Sequence, residues 1–215
     1  MSPALANPTD SKRRKASEAR RRAILDAGLD LFVADGFAAT RLDDVATRAG
    51  VAKGTIYLFF KDKQDLFEQV VLDAIGPTLD RLAGVAAQTD FPFDRLLTAL
   101  FETFQREILG TRRREIIRLV IAEGPKFPRI AAFYHRNIVS RGLALVSSAA
   151  RRAYSRGEIK TDSLVYHPHL IFGPMLISVV WRGLFEEFEP LDVAGLLTAH
   201  RDLLIGTPQA TGQTS

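Results

Sequence analysis

Lys53, Thr55, Tyr57, Lys61 and Lys63 fall within one short run, Lys53-Gly54-Thr55-Ile56-Tyr57-Leu58-Phe59-Phe60-Lys61-Asp62-Lys63-Gln64-Asp65-Leu66-Phe67. Ammonium, hydroxyl and phenol groups are donors for anionic oxygens, and Gly54 among them lets a partner approach the backbone closely. The chemistry such a set can do is to grip a polyanion.

Reaction chemistry finds less support. The chain has no Cys, which excludes disulfides, thiolate metal sites and a thiol nucleophile. His167 and His169 flank Pro168 without carboxylates or further spaced His nearby, so no metal site and no cofactor is expected. The stretch from Gly50 to Thr55 contains Lys-Gly-Thr but not the Walker spacing, and no strand precedes it. A serine elbow, a zinc-protease helix and a dinucleotide fingerprint are all missing, so an enzyme is not expected.

The elements that must hold the 53–63 run are helical. Ala19, Ala23, Ala27 and Leu31 recur on one face of a first helix that Gly36 should end. Thr40 is placed as the N-cap of a short helix from Leu42 to Ala49, with Gly50 as the turn and Val51 to Phe60 as a second short helix. Ala46 supplies the small contact residue, and Val45, Ala49, Val51, Ile56 and either Phe59 or Phe60 supply the apolar lock. That is a complete helix-turn-helix pattern.

Beyond it, a helix from Lys63 should close at Gly76-Pro77. Further helices are expected around Leu96 to Ile108, Ile116 to Ile121, Arg129 to Arg156, Leu164 to Phe185 (with a kink at Pro168 or Pro174) and Val193 to Ile205. No strand-length alternation is convincing, so the fold class is all-α with about nine helices. Residues 1–63 hold 12 Lys and Arg against 8 Asp and Glu, and the remainder holds equal numbers, so the net charge of +4 lies wholly in the first third. Such asymmetry assigns nucleic acid or an anionic membrane to the N-terminal part. The most apolar run, Leu170 to Trp181, is too short to span a membrane, and a cytoplasmic protein is expected.

The run from Lys53 to Phe67 resembles the signature of the tetracycline-repressor (TetR) family of bacterial transcription regulators. The upstream residues Arg22-Ala23-Ile24-Leu25-Asp26-Ala27, Leu31-Phe32 and Asp35-Gly36-Phe37 match that family's first helix, and the close match covers about 20–67. The resemblance implies a basic flexible arm at 1–15, a DNA-binding domain at 16–63, a ligand-binding and dimerisation domain at 64–206 and a flexible tail at 207–215. It implies DNA contact by Thr40, Arg41, Lys53, Gly54, Thr55, Tyr57, Leu58, Lys61 and Lys63, with Thr40, Tyr57, Lys61 and Lys63 on phosphates. Lys12 to Lys15 and Arg20 to Arg22 add a basic lead-in that can reach phosphate or the minor groove. Two departures stand out: Ala52 replaces the usual capping Ser or Thr, and Leu58-Phe59 replaces a more polar pair.

The resemblance further implies a palindromic double-stranded DNA operator, a homodimer and a small-molecule effector, apolar or aromatic in character. Phe101, Phe104, Arg118, Phe133, His135, His169, Phe172 and Met175 are the expected cavity residues. Leu176, Val180, Trp181, Leu196 and Leu203 are the expected dimer contacts, because the last two helices are too apolar for a monomer's surface. An all-α interaction or ligand-binding module without DNA-binding function is the alternative, and it leaves the basic N-terminal third unexplained.

Overall fold

The computed structural model describes residues 8–88 and 90–206, so the tail expected at 207–215 and the first seven residues of the arm expected at 1–15 lie outside the described residues. Ten helices and no strand are present among them. They are α1 (Pro8–Ala39), α2 (Leu42–Arg48), α3 (Lys53–Ile56), α4 (Lys63–Ala86), and α5 (Phe93–Thr103, extended by the π-helical turn Phe104–Leu109). Then come α6 (Arg114–Glu123), α7 (Pro128–Tyr134, a π-helical His135–Val139, then Ser140–Ser155), α8 (Ser163–Tyr166), α9 (His169–Leu184) and α10 (Val193–Ile205).

Gly36, at φ 77°, interrupts α1 where the first helix was expected to end, and a last short turn follows it. Lys12 to Lys15, expected in a flexible arm, instead ride on the first turns of α1. Gly50 takes φ 68° in the turn between α2 and α3, a left-handed conformation that favours glycine, and the Val51 N–H closes the turn on the Ala46 carbonyl at 3.0 Å. Val45, Ala46 and Ile56 are fully buried, and Phe60 rather than Phe59 fills the core.

α4 corrects the sequence expectation most. It runs through Gly76-Pro77 without stopping. Pro77 cannot donate to the carbonyl one turn back, a loss that ordinarily ends a helix. Here Ile75, Thr78, Leu82 and Ala86 are buried on one side of the helix, and their packing outweighs the lost bond. Asp62 caps the start, its carboxylate accepting from the Asp65 N–H at 2.8 Å.

The segment expected as one helix from Leu164 divides at His167-Pro168, because proline drives the preceding residue out of helical geometry (His167 φ −124°, ψ 57°). Pro174, by contrast, stays inside α9. The Leu170 carbonyl it orphans accepts instead from His200 Nε2 of α10 at 2.8 Å, so the neighbouring helix repairs the ladder.

One continuous core runs along α4: Leu66 and Phe67 belong to it beside α1, and Leu82 and Ala86 beside α5 and α7. At the junction Phe67 meets Phe32 and Phe37 edge-on at ring separations of 5.5 and 5.7 Å, and Phe37 meets Phe127 at 4.9 Å. Phe67→Ala should cost about 3–5 kcal/mol of unfolding free energy in denaturant titrations. A loss below about 1 kcal/mol would mean that this cluster does not hold the junction.

Candidate nucleic-acid interface and effector cavity

α3 is only one turn long, and it stands on Ile56 with its other residues turned outward. Its N-cap is Ala52, which offers no side-chain bond, as the sequence departure implied. Lys53 is exposed, and its ammonium lies 2.7 Å from Asp43 Oδ2 on α2. The hydrogen bond and charge of Asp43 hold the Lys53 pKa above the ordinary lysine range. Tyr57 is 56% exposed and Leu58 82%, so neither belongs to the core. A Cβ placed on Gly54 would meet nothing within 4 Å, so nothing inside the chain requires glycine there.

Thr40, Arg41, Leu42, Asp43, Tyr57, Lys61, Asp62 and Lys63 border an open concavity beside α3. Arg41, Lys53, Gly54, Tyr57, Leu58 and Lys61 are exposed, and Thr55 is half-buried. Besides Lys53, two of the expected contact residues are engaged within the chain. Thr40 is 2% exposed and its hydroxyl donates to the Gly36 carbonyl at 2.8 Å, while Arg41, not Thr40, is the N-cap of α2. Lys63 donates to the Ala38 carbonyl at 2.7 Å and sits 4.8 Å above the Phe37 ring. Burial there lowers its pKa, so Lys63 pins α4 to the end of α1.

One carboxylate crosses between the two halves. Asp30 of α1 accepts from Arg48 Nε and Nη2 of α2 at 2.9 and 2.7 Å, and its other oxygen pairs with Arg112, in the turn that precedes α6.

Beyond that turn, α4, α5, α6, α7 and α9 border a partly open cavity of about 510 Å³. Of the residues expected around it, Phe104, His169, Phe172 and Met175 line it. Phe101 packs toward His200 of α10 instead, and Arg118 pairs with Glu115 and lies against Gly183. Phe133 is buried outside the lining, and His135 faces out beside Ser140. Tyr134, between these two, is the residue that lines the cavity, together with Ile138, Val139 and Gly142. A π-helical turn at His135–Val139 interrupts the α-helical hydrogen bonding just after Tyr134.

Thr78 also lines the cavity, and its hydroxyl donates to Glu107 Oε2 at 2.8 Å. Glu107 accepts as well from Arg81, with Arg106 and Arg113 nearby. The Thr78 bond leads these contacts in holding the Glu107 pKa below the usual carboxylate range, against the opposing effect of burial. Among the described residues no three His, Asp or Glu converge in a metal-binding group.

Of the expected dimer contacts, Leu176 is 50% and Leu203 81% exposed, while Val180, Trp181 and Leu196 are half-buried. Leu170, Ile177 and Leu184 follow at seven-residue spacing and are also exposed, so α9 presents an apolar stripe outward.

Residues 24–70 match the family model for bacterial regulatory proteins of the tetR family, and residues 94–194 match a tetracyclin repressor-like C-terminal domain. The HTH-type transcriptional regulator AcrR of Shigella flexneri is 42% identical over 112 residues, 51% of this chain and 51% of that protein. SrpR of Pseudomonas putida is 24% identical over 173 residues, 79% of this chain and 77% of that protein. The chain spans about half the length, or less, of the first curated relatives it matches. A SmeT complex with triclosan superposes with a TM-score of 0.73 at 21% identity, covering 91% of this chain and 96% of that one. SmeT is the repressor of the Stenotrophomonas maltophilia multidrug efflux pump SmeDEF, and at this identity the likeness speaks for the fold alone.

The Glu107 contacts make a pH prediction. A carboxylate whose pKa is lowered by folding stabilises the fold above the unfolded value of 4.5 and loses that effect as pH falls below it. The drop in melting temperature between pH 6 and pH 3 should therefore be smaller in Glu107→Gln than in the parent. An equal drop in both would show that Glu107 contributes nothing to acid sensitivity.

Proposed function

Because the chain belongs to the tetR family of bacterial regulatory proteins, we propose that it is a ligand-responsive repressor that binds a palindromic operator as a homodimer. The family is one of transcriptional regulators, not enzymes, and its members bind DNA and small molecules, typically as dimers. The observation that carries the reading is α3: a one-turn helix, fixed by a buried apolar face, that exposes Lys53, Tyr57 and Leu58 around a glycine with open space above it.

In this reading α3 enters the major groove N-terminus first. Lys53 exchanges Asp43 for guanine O6 or N7, Thr55 bonds a base edge, and Leu58 touches a thymine methyl. Arg41, Tyr57 and Lys61 take phosphates and set the register, while Thr40 and Lys63 shape the site from behind. The basic residues at the start of α1 add phosphate contact.

The apolar stripe of α9, with Leu203 of α10, supports self-association, and a twofold pair presents two copies of α3 to one palindrome. The cavity, bounded by α4, is the effector site, and an apolar or aromatic occupant displaces α4 and with it α3. The effector acts through its unequal affinity for the DNA-competent and DNA-incompetent states, a coupling of about 1–3 kcal/mol. No described helix is long and apolar enough to cross a membrane, and a regulator of this kind works in the cytoplasm.

Footprinting on the DNA upstream of its own gene tests the reading. A protected palindrome supports it, and the absence of any discrete footprint refutes it. On that site Lys53→Ala should lower affinity about tenfold or more and relax base preference at one position per half-site. Lys61→Ala should weaken binding to all sequences alike and reduce the salt slope by about one unit per phosphate contact. Sedimentation at micromolar concentration should find a dimer, and Ile177→Asp or Leu203→Asp should produce monomers. A parent chain that sediments as a monomer would refute the assembly.

A further inference from the structure

No Lys, Arg, Asp or Glu lines the cavity. Its polar groups are Thr78, Thr103, Tyr134 and His169, set in a wall of Ile, Leu, Val, Phe and Met side chains. They are not equivalent. The Thr78 hydroxyl hydrogen is committed to Glu107, whose carboxylate is in turn surrounded by arginines. His169 is exposed. Tyr134 lines the cavity, and its hydroxyl has no hydrogen-bond partner among the described residues.

We propose that the cavity selects a neutral, mostly hydrocarbon or aromatic molecule with one hydrogen-bond acceptor, which takes the Tyr134 hydroxyl hydrogen, and that it rejects carboxylate-bearing molecules. The inference rests on reading the cavity as the effector site and adds the chemistry of its occupant. The Tyr134 hydroxyl faces the cavity with a hydrogen to donate, so an occupant that supplies an acceptor gains a hydrogen bond that an all-carbon occupant cannot make. A charged occupant would leave water for a wall that offers no counter-charge. Burial alone pushes the Tyr134 pKa up to about 12, so the phenol keeps its proton and stays a donor throughout the physiological range.

Three probes of one skeleton test this: benzophenone, diphenylmethane, which lacks the carbonyl oxygen, and 4-benzoylbenzoate, which adds a charge. In calorimetry at pH 7.5, benzophenone should bind the full chain about tenfold more tightly than diphenylmethane. The benzoate should bind at least about a hundredfold more weakly than benzophenone. Tyr134→Phe keeps the ring and should bring benzophenone and diphenylmethane to equal affinity, whereas Thr103→Val should leave their ratio unchanged. A ratio that survives Tyr134→Phe, equal binding of the first two probes to the parent, tight binding of the benzoate, or binding of none of the three overturns the proposal. Operator affinity is read separately by gel shift. Probes that bind in the expected order without altering it uphold the cavity's chemistry and overturn its role as the effector site.

Discussion

A single helix, Lys63–Ala86, runs along one hydrophobic core from the helix-turn-helix end to the C-terminal helices. Its first turns place Leu66 and Phe67 against α1, which carries α2 and through it α3, and its last turns place Leu82 and Ala86 against α5 and α7. Close-packed interiors pass on displacement instead of absorbing it. Whatever moves the C-terminal half of α4 must therefore strain the seat of α3 or carry α3 along. The cavity opens directly on Ile75, Thr78, Leu79 and Leu82 of that half.

Several separate contacts hold the junction. Phe37 is packed between Phe67 and Phe127, Lys63 is pinned to the Ala38 carbonyl, and Asp30 is shared by Arg48 and Arg112. These contacts join α1, α2, α4 and the elements around α6, so the helix-turn-helix unit is tied to the rest of the chain at several separate points. Exposed ion pairs contribute little individually, with medians near 0–1 kcal/mol. The aromatic cluster supplies the greater part of the attachment, and the ion pairs fix its register.

Much of this was legible in the sequence because it depends on local rules. Gly50 had to adopt a left-handed turn, Ala46 had to sit where two helices touch, and the apolar offsets around Ile56 named the face that is buried. The positions that misled depend on non-local partners. Pro77 signalled a stop, and only the buried face of Thr78, Leu82 and Ala86 carries α4 past it. Thr40 and Lys63 had the right types for phosphate contact, yet the carbonyls of Gly36 and Ala38 engage them first. The cavity residues were the least legible: apolar spacing marks the buried side of α7 but not the part of it that borders a cavity, so Tyr134 lines it where Phe133 and His135 were expected.

The central claim is that α4 makes effector binding and the spacing of the two copies of α3 one equilibrium. The chain has no cysteine, so Leu58→Cys, at an 82% exposed position, creates a single spin-labelling site per protomer. Pulsed electron-spin distance measurements on the DNA-free dimer then report that spacing directly. The expected distribution centres near one helical turn of DNA, about 34–36 Å, and shifts by several ångströms when a small molecule saturates the cavity. An unchanged distribution at saturation would contradict the claim.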